Sequence, residues 1–349
     1  MEVKHILVIR FRQMGDAVLA TPMLNALRTN YPEAQIDFVL NKRIAPLFEG
    51  HPAVSRLLTF TDDERHHPLT YIKKVWQTVH RTRYDVIIDM RSTVNTVLFA
   101  LFAPLTPCRI GIRKPYTRFI FNHRFPGCED DESMTDHNLR LLSPLGIEGA
   151  DKAITLHITE QEQRDFRTYM QAQGIDFSRP VMLAGVTAKL ATKTWAEDRM
   201  TEVLRRFTAK HPEVQVVFNY APGQEAENAR RIYARLPDST AVFLNIEARS
   251  MRQLAAMAAN STFYFGNEGG ARHIVQAMGR PSLVVCSPMA SKRTWLPECD
   301  EPLTCGIAPS DIDPQAARLD YAGQYALITT DRVWTALQAF YEQILPVAR

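Results

Sequence analysis

Short apolar runs rich in β-branched residues alternate with stretches of helical periodicity along most of this chain. That alternation confines it to an α/β fold built on parallel sheets. Residues 5–10 read as a buried strand, 17–30 carry Val18, Leu19, Met23, Leu24 and Leu27 at helical spacing, and 35–40 form the next strand. Tyr31-Pro32 ends the helix, because proline disfavours helical geometry in the residue before it. A helix over 69–81, a strand over 84–89 and an apolar helix over 93–102 continue the series.

A second series begins near Ile158, where Thr159 and Glu162 have the spacing of a capping box for a helix running to about residue 173. Strands follow at 181–186, 214–219, 241–244, 262–265 and 282–286, with helices at 197–210, 225–236, 251–260 and 271–278 between them. Residues 287–328, rich in Pro and Gly, give no clear order, and a last helix covers 330–345. With 349 residues and about 150 per domain, the chain divides into two doubly wound domains, 1–158 and 159–329. Segment 330–349 is then a C-terminal helix free to pack back on the first domain. "NYPEAQIDFVL" and "KHPEVQVVFNY" echo each other as a helix stop feeding a strand. Internal repetition and convergence on a common α/β connection both account for the echo, and both give repeated βα units.

Composition narrows the class. The chain is 46% hydrophobic and 23% charged, as globular proteins are. Cys108, Cys128, Cys286, Cys299 and Cys305 are scattered without a CxxC pair, which argues against a disulfide framework or a zinc site and fits a reducing compartment. No secretory signal opens the sequence, and the apolar stretch 97–105 is far below spanning length, so a cytoplasmic protein is expected. Net charge is only +3, and no nucleic-acid motif appears. Yet Arg109, Arg113, Lys114, Arg118 and Arg124 form an acid-free basic segment, followed by Glu129, Asp130, Asp131 and Glu132. A solvated loop and a face toward an anionic acceptor or membrane surface both fit it.

Four strand ends carry chemistry. In "IRFRQMGDAVLATP" a strand gives way at Gly15 to a helix starting near Asp16. Asp16 reads either as the helix N-cap or as a general base for a nearby hydroxyl. There is no GxGxxG dinucleotide fingerprint. "FGNEGGARHIVQAMGRPSLVV" runs from a strand through Glu268, Gly269 and Gly270 into a helix bearing His273. Its glycines and helix start suit a phosphate, and Glu268 a sugar hydroxyl; a tight turn with Glu268 facing the helix dipole is the simpler reading. "GVTAKLATKTWAEDRM" supplies Thr187, Lys189, Thr192, Lys193 and Trp195, suited to a diphosphate or to a solvated basic loop. In "NYAPGQEAEN", Glu225 can accept ribose hydroxyls or cap the next helix. All four follow strands, where one crevice between domains would gather them.

Together with "YDVIIDMRS" and "RIGIRK", these segments resemble the ADP-heptose:lipopolysaccharide heptosyltransferase family, glycosyltransferase family 9, over nearly the whole chain. The resemblance implies a GT-B architecture, two Rossmann-like domains facing across a cleft, and inverting transfer without a metal or other cofactor. It implies Asp16 as catalytic base, Lys193 with Gly269 and Gly270 on the donor diphosphate, Glu225 on the ribose and His273 as the motif histidine. Thr187 and Glu268 join the donor set. The donor is then a nucleotide-sugar such as ADP-heptose. The acceptor is lipopolysaccharide core or another anionic glycolipid at the inner membrane, met through Arg10, Arg12, Arg109 and Arg113. The family's Asp-Thr-Gly, two variable residues and His here reads Glu268-Gly269-Gly270-Ala271-Arg272-His273, which leaves the sugar open between heptose configurations and a hexose. Arg272, in a variable slot, reads as a phosphate contact or as a solvated side chain. A nucleotide-sugar epimerase and a non-catalytic sugar-nucleotide binder remain as alternatives.

Overall fold

The computed structural model describes residues 2–130, 132–236, 241–289, 291–296 and 298–345. Asp131 of the acidic run and residues 346–349 of the closing segment lie outside the described residues. The chain divides into two compact units at His157/Ile158.

The first unit holds six strands: β1 His5–Ile9, β2 Gln35–Asn41, β3 Arg56–Phe60, β4 Val86–Asp89, β5 Cys108–Ile112 and β6 His123–Phe125. They lie in the order β3-β2-β1-β4-β5-β6, all parallel. Because β1 and β4 are neighbours but wind in opposite directions across the sheet, their carboxyl ends form the switch point where such sheets bind ligands. Ile6 to Ile9 are fully buried, as a central parallel strand covered on both faces requires. Phe11, Phe60, Tyr71 and Phe99 interlock edge-on and tilted in the core beside them.

The second unit repeats the plan. β7 Val181–Gly185, β8 Gln215–Phe218, β9 Val242–Phe243, β10 Phe263–Asn267, β11 Ser282–Val285, β12 Cys299–Asp300 and β13 Leu303–Ile307 lie in the order β12-β13-β11-β10-β7-β8-β9. Only β12 is antiparallel to its neighbour. The switch point falls between β7 and β10, where Gly185 pairs with Gly266. A Cβ on Gly266, whose φ is 154°, would collide with the Gly185 carbonyl, and one on Gly185 would enter the Tyr264 hydroxyl. Both glycines are needed for the strands to end side by side.

Three differences from the sequence expectations have physical causes. The helix expected over 17–30 starts earlier, as Met14–Val18, and restarts as Thr21–Asn30. Pro22 belongs to the first turn of the second piece, where its missing N–H costs nothing. β3, β5 and β6 escape the apolar-run criterion because they are short and half-polar, as in "HRF" and "CRIGI". The final helix, Thr330–Ile344, belongs to the second unit. Its Val333, Leu337, Phe340, Tyr341 and Ile344 belong to the core of the second, against the Glu197–Lys210 helix, and this corrects the expected arrangement.

Candidate active site

In the first unit the chemistry gathers past β1. Asp16 is the third residue of the Met14–Val18 helix, whose N-cap is Gln13, so the carboxylate is not the cap. Its Oδ1 lies 3.1 Å from the Arg10 guanidinium and 3.3 Å from Arg12 Nε. Arg10 also donates to the Met90 carbonyl at 3.1 Å and is only 2% exposed. Burial pulls its pKa down to about 10 against the opposing pull of Asp16. Arg10 therefore holds Asp16 in place and does not face an acceptor, contrary to the sequence expectation. Arg12 has a half-exposed side chain.

Asp89 ends β4 at the same switch point. It is fully buried and takes the backbone N–H groups of Arg91 and Ser92 on Oδ1. Burial raises its pKa against those bonds. The bonds shape a turn in which Ser92 adopts φ 49° and the Arg91 side chain reaches the Phe11 carbonyl. The segment "YDVIIDMRS" carries no local sign of this role for Asp89.

Of the remaining expected acceptor contacts, Arg113 is exposed just past the carboxyl end of β5. Arg109 is not available. At the amino end of the same strand its guanidinium donates to the carbonyls of Pro104, Thr106 and Ile120 at 2.5–2.8 Å. It works as a structural clamp.

In the second unit, β7 leads into the loop of Thr187, Lys193 and Trp195, and β10 leads into Glu268, Gly269 and the Gly270–Ala277 helix. Lys193 Nζ lies 2.8 Å from Glu268 Oε1, joining the two loops across the switch point. The Glu268 side chain is nearly buried, whereas Lys193 keeps 30% of its side chain exposed. Asn267 stitches the same junction: its Oδ1 accepts from Trp195 N at 2.7 Å and its Nδ2 donates to the Gly185 carbonyl at 3.0 Å. Trp195 is buried beneath, with Nε1 donating to the Ile328 carbonyl. Ser287 Oγ and the Tyr321 hydroxyl both donate to the Thr192 carbonyl, fixing the residue before Lys193.

Glu225 lies in the first turn of the Gln224–Tyr233 helix, whose N-cap is Gly223. Its Oε2 accepts from Thr187 Oγ1 at 3.2 Å, so two expected donor contacts meet. His273 is buried on the Gly270–Ala277 helix, and burial first, then the neighbouring Arg272 charge, holds its pKa well below the usual histidine value. Arg272 itself is fully buried, which overturns its reading as a solvated side chain. Asn267, Ser287 and Tyr321 were missed as site residues. Asn267 stood inside a recognised motif, but Tyr321 arrives from a segment with no sequence order.

Among the described residues, Cys128, Glu132 and His137 could converge on a metal ion. Arg140, however, pairs with Glu132 at 2.9 Å and reaches His137 Nδ1 at 3.3 Å, so a guanidinium already supplies the positive charge there.

Residues 72–301 match the model of glycosyltransferase family 9 (heptosyltransferase). The chain belongs to that family. Lipopolysaccharide heptosyltransferase 3 of Escherichia coli K12 is 23% identical over 283 residues, covering 77% of this chain and 78% of that one. The crystal structure of a family 9 glycosyl transferase from Veillonella parvula superposes with a TM-score of 0.83 at 16% identity, covering 98% of both chains. The structure of E. coli ADP-heptose lps heptosyltransferase II gives 0.72 at 19% identity, covering 97% and 99%. This family 9 chain is a glycosyltransferase of the GT-B fold, with a Rossmann-like sheet in each unit.

Proposed function

We propose that this family 9 chain transfers a heptose, or a closely related sugar, from an ADP-sugar to lipopolysaccharide core or a similar lipid-linked acceptor, with inversion and without a metal. The observation carrying the reading is the Lys193–Glu268 pair beside the Gly269–Gly270 helix start at the second switch point. A lysine ammonium and unsatisfied helix N–H groups suit a diphosphate, and the adjacent carboxylate suits sugar hydroxyls. Relatives named for ADP-heptose and lipopolysaccharide support the choice of donor and acceptor.

In the proposed step the acceptor hydroxyl gives its proton to Asp16 as its oxygen attacks the anomeric carbon. The bond from that carbon to the diphosphate breaks, and ADP leaves with the electron pair. Lys193 and the helix start neutralise the developing charge, the task a divalent metal performs elsewhere. Glu225 with Thr187 receives the ribose, and His273 joins the diphosphate contacts. Asp16→Asn should lower turnover by roughly 10²–10⁴-fold. ADP should still bind it as tightly as the parent in calorimetry, and full turnover by the variant would overturn the reading.

The acceptor is anionic, and Arg12 and Arg113 are the basic side chains proposed to meet it. We further propose peripheral contact with the cytoplasmic face of the inner membrane through the first unit. Leu105 and Phe119, 81% and 90% exposed, flank the carbonyls that Arg109 clamps, and Arg118 stacks over Phe119 at 5.5 Å. An apolar pair with cationic neighbours suits an anionic bilayer surface. Phe119→Ser with Arg118→Glu should abolish cosedimentation with phosphatidylglycerol vesicles, and undiminished cosedimentation would remove the membrane from the proposal.

A further inference from the structure

Arg272 presents a problem that the donor reading alone leaves open. Its guanidinium is wholly inside the second unit, yet among the described residues no carboxylate is hydrogen-bonded to it. Its Nη1 donates to Gln276 Oε1 at 2.7 Å, and its Nη2 donates to the Trp295 carbonyl at 2.6 Å and approaches His273 Nε2 at 3.2 Å. Removing a cation from water without an ion partner is costly, and such residues are kept where the charge has a use.

The contact with His273 has only one chemical reading. Arginine donates and cannot accept, so His273 Nε2 must offer its lone pair. The ring proton of the neutral imidazole therefore sits on Nδ1. Nδ1 is buried and has no hydrogen-bond partner among the described residues. The ring is thus a donor whose direction is fixed and whose acceptor is still to come. It stands in the first turns of the Gly270–Ala277 helix, within electrostatic reach of Lys193. Burial first, then the charges of Arg272 and Lys193, oppose a second proton on the ring, which keeps it a neutral donor.

Resting on the donor reading above, we propose that Arg272 is a positioning residue that locks His273 in its Nδ1–H tautomer and adds a buried positive charge beneath the diphosphate of the nucleotide-sugar. Two cations, Lys193 and Arg272, then face a dianionic ligand across one carboxylate, Glu268. Gln276 keys the guanidinium from one turn further along the helix. Its amide in turn reaches Cys299 Sγ at 3.6 Å, which ties the arrangement to β12.

The test begins on the parent protein with ¹⁵N-histidine and long-range ¹H–¹⁵N correlation. His273 should show a protonated Nδ1 and a bare Nε2, and should stay neutral where an ordinary histidine has already taken up its second proton. Adding ADP should shift the Nδ1 proton. Arg272→Met should move the proton to Nε2 or make the ring titrate, and should weaken ADP binding about ten-fold, a change of about 1.4 kcal/mol. Arg272→Lys should recover part of both effects, and it provides a second variant should the methionine form fold poorly. A bare Nδ1 in the parent overturns the proposal, as does an Nδ1 proton that ADP binding leaves unmoved. Failure of ADP to bind the parent at all is a different result, since it overturns the donor reading while the tautomer is still measured.

Discussion

At the scale of single residues, the same carboxylate oxygen of Asp16 meets two arginines: Arg10 donates to it at 3.1 Å and also to the Met90 carbonyl, whereas Arg12 Nε pairs with it at 3.3 Å. Arg10 is enclosed and Arg12 is open to solvent, so similar distances do not mean equal energies. Arg10→Met should destabilise the first unit by about 3 kcal/mol, because it breaks a buried pair and leaves Asp16 only the solvent-exposed Arg12. Arg12→Ala should cost less than about 1 kcal/mol. Urea titration of each variant checks the contrast, and equal losses would refute it. The sequence marks both arginines as near Asp16 but carries no sign of which one turns inward. Burial is decided by the Met90 carbonyl, eighty positions away along the chain. The same reason hid part of the Arg109 clamp: Pro104 and Thr106 are local, but the Ile120 carbonyl comes from the segment leading into β6.

At the scale of elements, the capping box at Thr159 and Glu162 was legible because all its atoms belong to one turn. Its second role was not. Arg252, from the Met251–Ala259 helix, grips the same carboxylate, and mainly that bond lowers the Glu162 pKa to about 2. Since the folded form holds its proton less tightly, the resulting stability is complete above about pH 4.5 and disappears as pH falls toward 2. Glu162→Gln should therefore cost about 1–2 kcal/mol at neutral pH. Its deficit against the parent should close on acidification, as followed by denaturant midpoints from pH 7 to 2.5. A deficit that stays constant across that range would show that the pair contributes no proton linkage. The strands legible in the sequence were those buried on both faces. β3, β5 and β6 lie toward one end of the sheet or carry polar residues, and parallel pairing leaves no local signature in them. The end of the chain failed for a related reason. An amphipathic helix states that it must be covered, but its pattern does not say by which unit.

At the scale of the whole molecule, two sheets with the same winding each gather polar side chains at one switch point, and that much follows from the order of βα units. The division at His157 and Ile158 predicts that nucleotide binding protects one unit first. ADP at about 100 times its Kd should stabilise the second unit by about 2.7 kcal/mol. Hydrogen exchange should show the slowing in β7, β10 and the Gly270–Ala277 helix, with β1 and β4 unchanged. Equal slowing in both units would argue against a donor site confined to the second. Trp195 gives this experiment an optical counterpart. Its indole is sealed from water two positions beyond Lys193, whereas Trp76 of the first unit stands half in solvent. Trp295 and Trp334 are part-buried, so replacing Trp76, Trp295 and Trp334 by phenylalanine isolates the Trp195 emission as a reporter of the lysine loop. A ligand that draws Lys193 away from Glu268 will alter that emission without any attached dye.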